Sequence, residues 1–394
     1  QSCFPPQKVA DPSAATSIIM IAVGSCARTF KEAQNYIAPV ILAVLIPGGI
    51  AALPAAKLTG IMSVTPVANM VLLTRELLSG ASVAPAAFFW VLVSTSMYAA
   101  VAVAVAVHMF GRESVVFADS VSLAALFRRR LFKPSRYPSL AAAGLYTAVL
   151  FPAWFYVQGS LQMAAGDDAS PVIFGSALLM PLLFVVVPLV IMRFWKIGVG
   201  ATMVAHMPKA RHVVAAIAIG LSAWVPAHEL FILQITYLGA PPALEEMNKA
   251  IFTALESMPL MTALLMIAIV PAICEELFFR GFLLSGLRTS FRPWPAILWS
   301  ACVFGAFHFL IFKFAMTAGL GILLAWLCWR SRSIWPGVLA HALHNGLAVA
   351  RVLVPDLQSL LDPSTTDTAA HLPLRTILPA AVLLLTGVFL ARRQ

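Results

Sequence analysis

Charge is scarce in this chain. Of its 394 residues only 11% are Asp, Glu, Lys or Arg, and just 16 are acidic. An ordinary soluble domain carries about 25% charged residues. A surface that faces water all round is therefore excluded. The 61% of hydrophobic residues points instead to an all-α, polytopic bundle of transmembrane helices, with the bilayer as solvent. Cysteine is equally thin. Cys3, Cys26, Cys274, Cys302 and Cys328 show no paired spacing. That excludes a disulfide framework and a Cys metal site, and leaves small buried hydrophobes. HEXXH and Walker A patterns are both missing, which excludes a helix-borne zincin site and a self-contained ATPase. The chain begins at Gln1 with polar, Pro-containing sequence and has no signal-peptide n-region or h-region. The expectation is the C-terminal part of a longer protein.

What charge there is has one dominant sign, with a formal net charge of +10. The basic residues fall between apolar runs, as in FRRRLFKPSR, MRFWK and MPKARH. That is the positive-inside pattern of a membrane protein, not a nucleic-acid footprint. Apolar runs long enough to span predict about ten helices, at 36–55, 85–109, 139–157, 171–194, 211–233, 258–284, 294–311, 314–330, 335–353 and 374–391. The mixed segment 60–80 reads as interfacial or as a re-entrant hairpin. Basic loops at 110–137, 193–211 and 280–292 are assigned to the cytoplasm. The loop VQGSLQMAAGDDAS, with two Asp and no Lys or Arg, is assigned outside. The location is the cell (inner) membrane. The basic, Pro-containing stretch near 111–138 divides the chain into three parts. These are a membrane segment at 1–120, a cytoplasmic linker at 121–137 and a second membrane unit at 138–394.

Within the second unit, Glu275 and Glu276 interrupt an apolar stretch, AIVPAICEELFFRGF. A charge in hydrocarbon costs roughly 2.5–3.5 kcal/mol on insertion scales and persists where it works or is paired. Arg280 lies four residues after Glu276, the spacing of an intrahelical ion pair. That pairing explains Glu276 and leaves Glu275 as a candidate general base. Phe304 and His308 are four apart, as on one helical face. His341 and Asn345 are also four apart, with His344 between them. A converging imidazole and amide suit an oxyanion hole. They also suit plain helix–helix hydrogen bonding. Glu275, His308 and His341 could instead hold Zn, one ligand from each of three helices. No spacing preorganises such a site, so no cofactor is expected and Zn is the alternative. A third reading makes the buried carboxylates and imidazoles an ion relay in a transporter. His228 and Glu229 read as a structural pair. His206 and His212 read as solvated, and His108 and His371 as lying at span edges.

In order, Glu275-Glu276-x-x-x-Arg280, Phe304-x-x-x-His308 and His341-x-x-x-Asn345, the last within IWPGVLAHALHN, resemble the three motifs of the CAAX prenyl protease and bacteriocin-processing family of intramembrane endopeptidases, also called Abi. The resemblance covers roughly residues 140–394. It implies a peptide or protein substrate, Glu275 as the base that activates water, and His308 helping to hold that water. It further implies His341 and Asn345 as oxyanion donors and Glu276 with Arg280 as the supporting pair. Family members have been described both as metalloproteases and as metal-free glutamic proteases. The strings ARTFKEAQNYIAPVILAVLIPG, TPVANMVLLTRELLSG and FGRESVVF resemble the C-terminal end of a sodium-efflux-type ABC exporter permease. That resemblance implies an ABC ATPase subunit as partner.

Overall fold

Apolar side chains do not by themselves settle a backbone in lipid. Each N–H and C=O must also find a partner, and a helix satisfies both within one segment. The structure, a computed structural model, describes residues 41, 44–53, 56–110, 129, 132–166, 168–239, 242–354, 356–357 and 371–392. The regular elements among the described residues are all helices, without strands; an isolated bridge joins Ser135 and Ile197. In chain order the main helices are α1 (Ala68–Leu78), α2 (Pro85–Phe110), α3 (Leu140–Ala165), α4 (Ser170–Phe194), α5 (Ala210–Ser222) and α6 (Trp224–Leu238). They continue with α7 (Pro242–Glu256), α8 (Leu260–Leu287), α9 (Pro293–Ala306), α10 (Ile311–Ser331), α11 (Trp335–Leu353) and α12 (Leu374–Arg392).

Six segments among the described residues are long and apolar enough to cross a bilayer: α3, α4, α5 with α6, α8, most of α10, and α12. The other expected spans differ for visible reasons. Part of 36–55 lies outside the described residues. Helix α9, at 14 residues, is short for a crossing, whereas α2, 26 residues of apolar sequence, keeps the length of a span. Helix α11 has the length but carries His341, His344, Asn345 and Arg351.

Two compact units are present, one of residues 1–133 with 139–153, the other of 134–138 with 154–394. Most of the expected linker 121–137 lies outside the described residues. In the first unit the mixed segment 60–80 becomes a helical turn at Gly60–Ser63 followed by α1. Ala68, Leu72 and Leu73 of α1 bury against Ala51, Leu58 and Val91. Polar groups then close the hairpin from within. Asn69 donates its amide to Ser94 Oγ at 3.0 Å and Thr95 Oγ1 at 3.1 Å. Arg75 reaches the carbonyls of Ala51, Leu53 and Ala56.

In the second unit the helices approach through small residues, as lipid-embedded helices do where packing and not water drives association. A Cβ at Gly220 of α5 would stand 2.6 Å from the Ala340 carbonyl of α11. One at Gly387 of α12 would stand 3.0 Å from the Ala215 carbonyl of α5. Around these contacts Ala215, Ala216, Ile219, Leu324, Leu327 and Ala340 form a core. On α12, Leu374, Leu378, Val382, Leu385 and Phe389 remain exposed, and their spacing makes one outward stripe suited to lipid. Glu229 of α6 accepts hydrogen bonds from His371 Nδ1 at 2.6 Å and from the Leu372 amide at 2.8 Å. That fastens the chain entering α12 and gives the pair a structural task.

Three expectations are corrected. His212 is not solvated: it is buried, at 3% exposure, because its helix α5 packs against α11 and α12. Helix α3 continues to Ala165, so Gln158 and its neighbours are helical where a loop was expected. The span 294–311 does not run through as one helix. Helix α9 stops at Ala306, and His308 lies in the non-helical link to α10.

Candidate active site

Helix α8 carries the acidic pair through a local change in its winding. Two stretches, Leu264–Ile269 and Glu276–Leu283, have π-type hydrogen bonding, as does Pro181–Val186 of α4. Such bulges are frequent at functional sites because they re-aim side chains along an otherwise regular helix. The two carboxylates are thereby set in different surroundings. The Glu276 and Arg280 side chains have no exposure, whereas that of Glu275 retains 13%.

Glu276 is the structural member. Its Oε1 accepts from Arg280 Nη1 at 2.7 Å and from His341 Nδ1 at 3.1 Å. Arg280 also donates through Nη2 to the Gly321 carbonyl of α10 at 3.2 Å, and its guanidinium stacks 4.4 Å over the Phe304 ring. One ion pair thus ties α8 to α9, α10 and α11. The other oxygen of Glu276 faces α11 at Gly337, where an added Cβ would stand 2.8 Å from it. We expect Gly337→Ala to push Glu276 out of register and destabilise the protein by about 1–3 kcal/mol, the usual cost of overpacking a filled interior. A lower melting temperature of the purified variant would show it; an unchanged one would mean that the carboxylate has room to move.

His341 stands between the two carboxylates. A carboxylate accepts, so Nδ1 carries the hydrogen toward Glu276, and Nε2 points to Glu275 Oε2 at 3.8 Å. His308 is also fixed in its tautomer. Its Nδ1 lies 3.0 Å from the Phe304 carbonyl; a carbonyl can only accept, so Nδ1 is the protonated nitrogen and Nε2 keeps its lone pair. Phe304, 1% exposed, meets both imidazoles edge-on, with centroids 5.0 Å from His308 and 5.7 Å from His341. The link that holds His308 includes Phe309 at φ 53°. This left-handed, strained conformation is held by edge contacts to Phe155 and packing near Phe307.

Glu275 and His308 line one cavity of about 290 Å³. Its other walls include Trp154 and Gln158 of α3, Phe184 of α4, and Phe307 of the link. Of the residues picked out by sequence, two therefore face the cavity, and His341, Glu276, Arg280 and Phe304 form the layer behind Glu275. Asn345 donates its amide to the Ile267 carbonyl of α8 at 3.2 Å. His344 keeps a buried Nδ1 without a hydrogen-bond partner among the described residues. Gln158 and the aromatic walls were missed. A polar side chain one turn after Trp154 was the available signal, hidden because the segment read as a loop.

Among the described residues no three His, Cys, Asp or Glu side chains are gathered as a metal ion requires. The set Glu275, His308 and His341 does not fit Zn as arranged here, and no step below is routed through a metal.

The comparisons fall on the same stretch of chain. Residues 257–347, which run from the start of α8 into α11, match the family model of the Type II CAAX prenyl endopeptidase Rce1-like. A protein of Bacillus subtilis (strain 168), named provisionally as the membrane peptidase YdiL, is 29% identical over 120 residues, 30% of this chain. The matched part spans 48% of that relative, about half its length. No solved structure matches the chain. At family level these findings support a membrane peptidase, carried by a multi-pass helical protein.

Proposed function

We propose that the protein hydrolyses a peptide bond within the plane of the bilayer, using water activated by Glu275. The observation that carries this reading is the shared cavity. An acceptor-only carboxylate and an imidazole with a free lone pair face the same space inside an apolar bundle. Water between them gives up a proton to Glu275 while its oxygen forms a bond to the peptide carbonyl carbon. His308 Nε2 accepts the second water hydrogen and fixes the attack angle. The carbon–nitrogen bond then breaks, and Glu275 returns the proton to the leaving amine, so the base ends as it began. His341, held through Nδ1 by Glu276, keeps the Glu275 carboxylate aimed. On the same helix face, Asn345 donates to the Ile267 carbonyl and braces α11 against α8 behind the cavity. Glu276 and Arg280 support the arrangement. The permease-like strings of residues 1–120 add an ABC ATPase subunit as a proposed partner, to be sought by co-purification from native inner membranes.

The test is cleavage of two synthetic peptides by purified protein in liposomes, a farnesylated CAAX-type peptide and its unprenylated twin, with product masses that locate the broken bond. Cleavage of neither under any lipid composition would count against the reading. The same assay addresses metal. We expect full activity after exhaustive chelation, because hydrolysis here needs only a carboxylate base. Stoichiometric Zn whose removal ends activity, with recovery on adding it back, would make Glu275 a ligand and Zn the agent that acidifies water.

A further inference from the structure

A hydrolytic cavity needs more than a base. Negative charge grows on the carbonyl oxygen as water adds, and hydrogen-bond donors must already be aimed there. The residues on the cavity side are poor in donors. Ionised Glu275 only accepts. His308 has committed its N–H to the Phe304 carbonyl. Phe184, Phe307 and Leu310 have no side-chain donor at all. Asn345 spends amide hydrogen on Ile267 and is not one of the lining residues.

The geometry points to Gln158 as a donor to the carbonyl oxygen of the scissile peptide bond. This inference rests on the proteolytic reading above and adds a residue to it from α3, outside the matched segment 257–347. Gln158 lines the same cavity as Glu275 and His308. One end of its amide is anchored. The Ser176 hydroxyl of α4 donates to Gln158 Oε1 at 3.0 Å, which leaves Nε2, with two hydrogens, as the other end. Ser176 is the amide's hydrogen-bond partner among the described residues. Gln158 is partly exposed, and its Nε2 end is open to an acceptor that enters the cavity, as a peptide carbonyl would be. Trp154, one helical turn earlier and also in the wall, puts the flat indole beside the same space. Apart from that indole, Gln158 is the side chain of the wall with hydrogens to give.

Ser176 is then a positioning residue. It touches no substrate and acts by anchoring the amide through Oε1, which leaves Nε2 to meet the oxyanion. The reversed amide would set an acceptor against growing negative charge.

The test uses the full chain in liposomes with the farnesylated CAAX-type peptide, and compares Gln158→Met, Gln158→Glu, Ser176→Ala and Glu275→Gln. Gln158→Met, unbranched and similar in volume, is expected to lower kcat by roughly 10²–10³-fold with little change in KM, as loss of one oxyanion donor does. Gln158→Glu should fall at least as far although it is isosteric, because the donor has become an acceptor. Ser176→Ala should show a smaller loss, again in kcat. Melting temperatures are read in parallel, and an unfolded Met variant leaves the Glu variant to decide. A folded Gln158→Met enzyme with kcat within about threefold of wild type, or a loss confined to KM, overturns the inference. Glu275→Gln separates the two levels. If it is dead while Gln158→Met is active, only the donor assignment falls. If Glu275→Gln is also fully active, Glu275 is not the base and the proposed mechanism falls with the donor; if wild type cleaves no peptide, the proteolytic reading itself falls.

Discussion

Glu275→Gln is expected to lower peptide hydrolysis by roughly 10²–10⁴-fold, the span that a positioned general base contributes. The substitution keeps shape and size and removes only the capacity to take a proton. The fold has little reason to notice. Among the described residues Glu275 makes no close ion pair; His341 Nε2 stands 3.8 Å from its Oε2, and its side chain retains 13% exposure. Melting temperature and membrane insertion should therefore match wild type. The neighbouring substitution Glu276→Gln makes the control. Glu276 has no exposure and accepts from both Arg280 and His341, so its loss should register mainly as instability. Equal activity of Glu275→Gln and wild type on one identified peptide would remove Glu275 as the base. The retained substrate is itself useful: peptides that co-purify with the inactive variant from native membranes would define what the cavity accepts.

How much of this was legible in the sequence varies with the kind of force involved. The spans of α3, α4, α8 and α12 follow from run length, because lipid demands about twenty apolar residues per crossing. The Glu276–Arg280 pair follows from i,i+4 spacing, which survives the π-type winding of that stretch. The break after Ala306 was not legible. FGAFHFLIFK contains no proline, and its glycine precedes the break, so local signals favoured one continuous helix. The link instead exists because packed aromatic neighbours hold Phe309 at φ 53°. The consequence falls on the site: His308 leaves the helix, yet its ring still meets Phe304. The order of burial was legible only in part. Two adjacent glutamates on one helix cannot share surroundings, but which would meet Arg280 and which the cavity depended on α11 arriving with Gly337 against Glu276. The cavity walls from α3 and α4 were illegible for another reason. Trp154 and Phe184 are ordinary apolar residues in apolar helices, and nothing local marks them as facing a space.

Arg280 is where a single change should cost the most stability. Its guanidinium is fully buried, pairs with Glu276 at 2.7 Å, donates to the Gly321 carbonyl and stacks on Phe304. Arg280→Ala strands a buried carboxylate and opens a void beside Phe304. Breaking one side of a buried pair typically costs about 3–5 kcal/mol, more than the pair itself contributes, since the remaining charge stays unpaired in low dielectric. We expect Arg280→Ala to express poorly and to melt far below wild type in detergent. The double substitution Glu276→Gln with Arg280→Met should recover much of that loss, because it removes both charges and fills the volume. It also separates stability from chemistry. In the double variant the amide that replaces the Glu276 carboxylate still offers an oxygen to His341 Nδ1 but no longer a charge. The histidine is then held less firmly behind Glu275, and activity should stay well below wild type although the fold has returned. A double variant that regains stability and full activity together would make the ion pair a purely structural clamp. An Arg280→Ala protein that melts like wild type would mean that the site tolerates the unpaired Glu276, and that the clamp joining α8 to α9, α10 and α11 lies elsewhere.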